Sequence, residues 1–270
     1  MRQSGDVAEY GAGLLEKGAG ALPADELWLV HEQVALAALD MGNLGLAERC
    51  VRKLDRKFEG SARVMRLKGS VLEAKGEWGK ADALYQEILK ENEADQGAWK
   101  RRVAVCKGKG DLAGAAKLLK QYLKVFMADA EAWEEAADVY VGLGLFKQAA
   151  FCLEEVILAN PQNPHTHLRY ADVLYTLGQP GNLRTAMQHY ATALELTDGQ
   201  SARALYGATC VYSHLCGLKG PLKATAEEAK LPKLCAEVLN KKYTKEAPAK
   251  LPFVQDALVQ MGFSQNDLIG

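Results

Sequence analysis

The chain has 270 residues, of which 49% are hydrophobic and 25% are charged, a composition that excludes global disorder. Its 33 basic and 34 acidic side chains give a formal net charge of −1. This balance excludes an overall basic field that would hold nucleic acid or an anionic membrane non-specifically.

The start of the chain predicts a soluble protein without a leader. The whole chain has no window of 18 apolar residues, so we expect no membrane-spanning helix. Its N-terminus lacks the continuous apolar stretch that a signal peptide needs, so we expect a cytosolic location. Residues 1–24 contain five glycines and are expected to be loosely structured, although residues 7–17 could form a short helix. The six cysteines include no C-x-x-C pair and indicate buried, reduced thiols.

A 34-residue repeat follows. Five glycines lie 34 residues apart, and an alanine follows five residues after each of the first four. The glycines are Gly42, Gly76, Gly110, Gly144 and Gly178. A 34-residue period with Trp, Gly, Tyr, Ala, Phe and Pro at fixed places is typical of the tetratricopeptide helix–turn–helix. We therefore predict an all-α fold, an α-solenoid of tetratricopeptide-type repeats with a C-terminal helical cap.

The register predicts a repeat array over residues 25–216. Its units are 28–61, 62–95, 96–129, 130–163 and 164–200, with a half unit at 201–216. The fifth unit is three residues too long, and we place the excess at residues 179–181, in the turn between its helices, because turns tolerate insertions. Residues 217–270 are predicted to form a linker and capping helices, at 226–242 and 253–262.

The sequence gives no indication of catalysis, a cofactor or a metal. It contains no phosphate-binding loop, nucleophile elbow or H-E-x-x-H motif. His165 and His167 form an H-x-H pair, but residues two apart on a helix point about 200° apart and make poor paired ligands. His31 and His167 occupy the repeat position of Trp99 and Trp133, which indicates a packing role. We predict a protein that is not an enzyme.

Charge is segregated between the third and fourth units. Residues 96–129 carry eight basic and two acidic side chains, whereas residues 130–163 carry one basic and six acidic. In tetratricopeptide arrays the first helices line the concave face, and the register places a set of charged side chains there as a partner-binding groove. The set is Arg63, Arg66, Lys100, Lys107, Glu131, Glu134 and Asp138. The alternative is that Lys100 and Glu134 only pair with each other, a surface contact of about 0–1 kcal/mol.

Several strings resemble subunit 2 of the endoplasmic reticulum membrane protein complex. They lie at 28–42, 150–155, 160–161, 170–178, 182–183 and 203–207, and the resemblance runs from about residue 25 to residue 207. The dipeptides at 32–33, 151–152 and 175–176 are the most specific, because tetratricopeptide packing does not require them. The three-residue insertion also resembles that family, whereas residues 1–24 and the C-terminal tail resemble it poorly.

The resemblance implies a non-enzymatic scaffold on the cytoplasmic face of the endoplasmic reticulum membrane, held there peripherally by its partners. In that family the solenoid bridges cytosolic parts of membrane-spanning subunits and binds a small soluble subunit. The whole hetero-oligomer inserts tail-anchored and multipass membrane proteins. The mechanism implied is assembly, in which rigid repeats hold several partners at fixed spacing.

Two other classes of function remain as alternatives. A chaperone-tail adaptor clamps a C-terminal carboxylate with basic and amide side chains, and the matching positions here offer Arg66, Ser70 and Arg101, followed by Glu131 and Glu135. Glu131, Glu134 and Asp138 would repel an acidic peptide there. A helical-repeat enzyme or RNA binder would use the basic residues between 100 and 124, next to which the acidic fourth unit lies.

Overall fold

The computed structural model describes residues 3–17 and 22–269, and the regular structure within these ranges is helical. The chain divides into two units, Met1–Tyr122 and Leu123–Gly270. Tetratricopeptide-type helix pairs recur along both units, so the predicted all-α repeat fold is confirmed.

The first unit is built of helices that pack on their neighbours in chain order. They are α1 Ser4–Lys17, α2 Ala24–Asp40, α3 Leu44–Lys57, α4 Ala62–Ala74, α5 Trp78–Glu91 and α6 Gln96–Gly108. The next helix, α7 Leu112–Val125, contains the boundary between the units. Within the first unit α2 packs on α3 and on α4, and α4 packs on α5 and on α6. The first helices of successive pairs are therefore neighbours.

The second unit continues the helix pairs and ends in a cap. Its helices are α8 Ala130–Gly142, α9 Phe146–Ala159, α10 Pro164–Leu177, α11 Pro180–Leu196, α12 Ala202–Gly217, α13 Lys230–Glu246, α14 Leu251–Gln260 and α15 Gln265–Ile269. Short 3-10 turns lie at Gly220–Leu222 and Pro248–Lys250. Helix α13 packs on α12 and contacts both α14 and α15, so this cap covers the last repeat helix.

The turn inside each pair is set by the repeat glycine. Gly144 has φ of 70°, a left-handed conformation that side chains rarely adopt, and the amide of Leu145 donates to the carbonyl of Tyr140 at 2.9 Å. The other four repeat glycines also have φ near this value. Five residues further on, the repeat alanines are completely buried, as at Ala47 and Ala149. A small side chain there lets the two helices of a pair approach closely.

Two regions differ from the sequence prediction. Helix α1 begins at Ser4, before the short helix expected at 7–17, and packs on α2. The reason is close packing, since a Cβ at Gly11 would lie 2.3 Å from Val34, so glycine here serves contact rather than loose structure. Residues 18–21 of the expected loose segment lie outside the described residues.

The three-residue excess of the fifth unit does not lie wholly in the turn. Helix α11 begins at Pro180 and has 17 residues, whereas the equivalent α9 has 14. Proline suits the first position of a helix, because its fixed φ is helical and its missing N–H would have no partner there. The excess therefore lengthens the start of the helix.

Candidate functional site

The charged set predicted for the groove has members in both units. In the first unit, Arg63 on α4 forms a bidentate ion pair with Glu32 on α2, with both N···O distances at 2.7 Å. Arg66 on α4 pairs with Asp95, the residue that caps the start of α6. Both arginines therefore join α4 to the first helix of an adjacent pair.

The two lysines of the set lie on α6. Lys100 is half-buried and Lys107 is exposed. Both are engaged in interactions within the chain, so neither is a free cation.

In the second unit the acidic members lie on α8. Arg169 on α10 donates to Glu134 at 2.7 Å and also to Asp138, so one guanidinium bridges the two carboxylates. Glu131, one turn before Glu134, is exposed and is likewise engaged within the chain. The charged set predicted from the sequence does not contain Arg169, which reduces the negative charge expected on this surface.

A common spacing links several of these ion pairs. In three cases an acidic residue on one first helix pairs with an arginine that is 31 residues later, on the first helix of the next repeat. The pairs are Glu32–Arg63, Asp138–Arg169 and Asp172–Arg203. Opposite charges 31 residues apart, three fewer than the repeat length, can be read directly from the sequence. This spacing identifies Glu32 and Arg169 as ion-pair partners of Arg63 and Asp138.

A pocket lies next to the Glu32–Arg63 pair in the first unit. Its volume is about 370 Å³, and its lining comes from α2, α4 and the end of α3. Trp28 and Phe58 meet edge to face there with ring centroids 5.7 Å apart, and Leu29 leaves half of its surface exposed at 51%. The arrangement is an apolar hollow with an ion pair at its edge, which suits a large apolar side chain of a bound segment.

The aromatic position of the repeat has a defined hydrogen bond. The indole of Trp99 donates to the carbonyl of Glu93 at 2.9 Å, and that of Trp133 donates to Met127 at 2.8 Å, six residues back in both cases. His167 replaces tryptophan and makes the same bond through Nε2 to a carbonyl six residues back. The packing role predicted for His167 is therefore confirmed.

His167 also forms a hydrogen bond with a second histidine, His189. Because the Pro161 carbonyl can only accept, Nε2 of His167 donates to it; in the neutral His167 ring, Nδ1 then accepts from Nδ1–H of His189 at 2.9 Å. Burial, together with the neighbouring His167, lowers the pKa of His189 below its ordinary value, while Glu154 acts in the opposite direction. Burial and the neighbouring ring therefore favour the neutral form of His189.

Buried tyrosines join an acid and an arginine in each unit. Tyr85 donates to Glu73 at 2.5 Å, and Arg101 from the next pair donates to both oxygens of that glutamate at 3.0 and 2.7 Å. Burial and the bond to Glu73 raise the pKa of Tyr85 to about 12. In the second unit Tyr190 and Arg203 meet on Asp172 in the same way.

The ion pairs of two arginines argue against the chaperone-tail adaptor. Arg66 and Arg101, its two candidate clamp cations, are already bound by Asp95 and Glu73. An incoming carboxylate would have to displace an acid of the chain itself.

Two other kinds of site are absent from residues 3–17 and 22–269. No three of the His, Cys, Asp and Glu side chains in these ranges form a group that could hold a metal ion. Among the same residues, none of the helices is both long and apolar enough to cross a membrane.

Comparison with known proteins gives one consistent family. A model described as the EMC2 TPR-like repeat domain matches residues 60–182. ER membrane protein complex subunit 2-A of Xenopus laevis is 34% identical over 272 residues, covering 98% of this chain and 91% of that protein. The subunit 2 of Xenopus tropicalis is 34% identical and covers 76% of this chain and 69% of that protein.

A solved structure supports the fold alone. The C-terminal part of a TPR repeat-containing protein from Cytophaga hutchinsonii is similar with a TM-score of 0.59 at 12% identity. The match covers 97% of this chain and 98% of that structure.

Proposed function

The chain belongs to the family of ER membrane protein complex subunit 2, and from that premise we propose that it is a non-enzymatic scaffold subunit of such a complex. In this role it lies peripherally on the cytoplasmic face of the endoplasmic reticulum membrane. It bridges cytosolic parts of membrane-spanning subunits and binds a soluble subunit, in a complex that inserts tail-anchored and multipass proteins. The observation that carries the proposal is 34% identity over 98% of the chain.

The geometry of the first unit supports a scaffold. Glu32–Arg63 and Arg66–Asp95 hold three successive first helices to one another through side chains. Asp95 is only 10% exposed, and a charge-assisted bond in such a setting is stronger than one between fully solvated partners. A surface held in this way presents its side chains at fixed spacing, which is what simultaneous binding of several partners requires.

The pocket beside Arg63 supplies a specific contact. Burying one large apolar side chain of a partner there would contribute about 1.5–3 kcal/mol. The Glu32–Arg63 pair at its edge offers both hydrogen-bond acceptors and donors to the backbone of the same segment. Partner binding through the charged groove, with Lys100 and Lys107 as its cations, remains a further part of the proposal.

The test is affinity purification of the tagged chain from detergent-solubilised membranes, with quantification of whatever co-purifies. Leu29→Glu places a charge in the pocket, at a side chain that is already 51% exposed. Met41→Glu is the matched control, because Met41 is similarly exposed at 58% in the same unit but does not line the pocket. Lys100→Glu with Lys107→Glu tests the groove, with circular dichroism to check that helicity is kept.

We expect several membrane-spanning proteins to co-purify with the wild type in equal ratio. Leu29→Glu should lose at least one of them, while Met41→Glu should keep all. Recovery from cytosol alone, or with a heat-shock protein as the main partner, would refute the scaffold proposal and favour the adaptor. If the double lysine variant retains the same partners as the wild type, binding through the charged groove is refuted, whereas the scaffold proposal is not.

A further inference from the structure

Most of the arginines that the structure describes are paired. Of the ten arginines that the structure describes, seven form an ion pair with a carboxylate of the chain. The other three are Arg49, Arg52 and Arg56, and all three lie on α3. This concentration on one helix distinguishes α3 from the rest of the described chain.

The acidic residues of α3 are occupied elsewhere. Glu48 pairs with Lys75 at 2.6 Å and Asp55 pairs with Lys68 at 3.0 Å, so both carboxylates are used in holding α3 to α4 and the turn after it. Glu48 still attracts Arg52 electrostatically, but neither carboxylate of α3 forms an ion pair with a cation of its own helix.

The unpaired cations form one continuous surface. Arg49, Arg52, Lys53, Arg56 and Lys57 are all exposed, and we call them the α3 basic face. At 3.6 residues per turn they fall within an arc of about 140°, in two rows of four-residue spacing. The opposite side of the helix, including Ala47, Val51 and Leu54, is buried in the core. The α3 basic face therefore points away from the core. None of the described residues forms an ion pair with it.

We propose that the α3 basic face binds an acidic segment of a partner protein. Successive side chains in one row are about 6 Å apart along the helix, which matches carboxylates on every fourth residue of a helix or every second residue of an extended strand. Three of the five cations are arginine, whose planar fork binds a carboxylate through two parallel bonds, as Arg63 and Arg101 do within this chain. This surface is separate from the groove and the pocket, so the inference does not rest on the scaffold proposal.

A membrane surface fits the α3 basic face less well. Glu16 of α1 lines the same small hollow as Arg49 and Lys53, so the cationic surface is about one helix wide and has an acidic residue at its edge. A narrow peptide can follow such a stripe, whereas a broad anionic bilayer would also meet the acidic residue. Most apolar side chains of α3 are buried (Leu46, Ala47, Cys50, Val51 and Leu54), so the helix offers little apolar surface to insert between lipids.

The experiment measures binding of the purified full-length chain to a fluorescent peptide of alternating glutamate and alanine. A peptide of alternating glutamine and alanine is the uncharged control. The test variant is Arg49→Gln, Arg52→Gln and Arg56→Gln together, which keeps good helix formers on the exposed face. The matched control is Lys90→Gln, Lys117→Gln and Lys120→Gln, which removes three exposed charges from other helices of the first unit.

We expect the acidic peptide to bind the wild type and the lysine variant alike, and the arginine variant about tenfold more weakly. A variant with lysine at the three arginine positions keeps the charge and should lose only part of the affinity, because lysine lacks the bidentate fork. Binding to wild type should weaken as salt is raised.

Three outcomes would overturn the proposal. Equal weakening in both triple variants would mean that net charge alone attracts the peptide. Absence of peptide binding, together with arginine-dependent flotation on phosphatidylserine vesicles but not on phosphatidylcholine vesicles, would assign the surface to the membrane. Absence of binding to any of these probes would leave α3 as a solvated face. None of these results depends on assembly of a complex.

Discussion

Gly69 allows α4 and α5 to pack around a buried tyrosine, and replacing it with alanine should destabilise the first unit. An added Cβ would lie 2.4 Å from both Cζ and Oη of Tyr85. Tyr85 is fully buried and its hydroxyl is held by Glu73 at 2.5 Å, so the ring cannot move aside without losing that bond. Overpacking of this kind costs about 1–3 kcal/mol, against about 0.5–1 kcal/mol that alanine gains over glycine in a helix. We expect a net loss of about 1–2 kcal/mol in the free energy of unfolding.

The assay is thermal unfolding followed by circular dichroism, where a loss of this size lowers Tm by several degrees in a chain of 270 residues. Gly79→Ala is the control, because Gly79 lies on α5 and a Cβ there meets nothing within 4 Å. Gly207→Ala repeats the test in the second unit, since its Cβ would lie 2.4 Å from the ring of Tyr190. If Gly69→Ala melts as high as Gly79→Ala, the reasoning from close packing is refuted.

Two further predictions concern titration. Because burial and His167 lower the pKa of His189, the unfolded chain takes up a proton below about pH 6.5 that the folded chain resists, and stability should fall there as pH decreases. Comparison of Tm against pH should show a smaller fall in His189→Gln, and equal falls would contradict the role of this residue. Burial raises the pKa of Cys152 to about 11 and of Cys235 to about 12, so both thiols should resist a disulfide reagent near neutral pH until the chain unfolds. Mass spectrometry of the labelled peptides measures this, and rapid labelling of Cys235 in the folded chain would be inconsistent with it.

The repeat fold could be predicted because its determinants are local and periodic. A glycine such as Gly144 must adopt positive φ in every turn, and a buried alanine such as Ala149 must recur at every helix crossing. Both requirements leave a residue type at a fixed interval. Helix α1 lies outside that periodicity, and a glycine that permits close contact, such as Gly11, is identical in sequence to one that loosens a chain.

The candidate site was less predictable, because a charge pattern does not show which side chains meet. The register places Glu134 and Asp138 on one helix, but it does not show that Arg169 neutralises both. The pocket beside Arg63 depends on how Trp28 and Phe58 pack in three dimensions, and neither was distinguished from core residues. The binding role of the groove stays a prediction.

The 31-residue spacing of the acid–arginine pairs constrains how the array can be rearranged. Each pair spans one joint between repeats, as Asp138–Arg169 and Asp172–Arg203 do in the second unit. Excising the repeat that contains Asp138 would leave Arg169 without its partners, even though the repeat length and the turn glycines were preserved. The repeats are therefore not fully interchangeable modules, and recombination would preserve these contacts only where each acid is inherited together with the arginine that follows it.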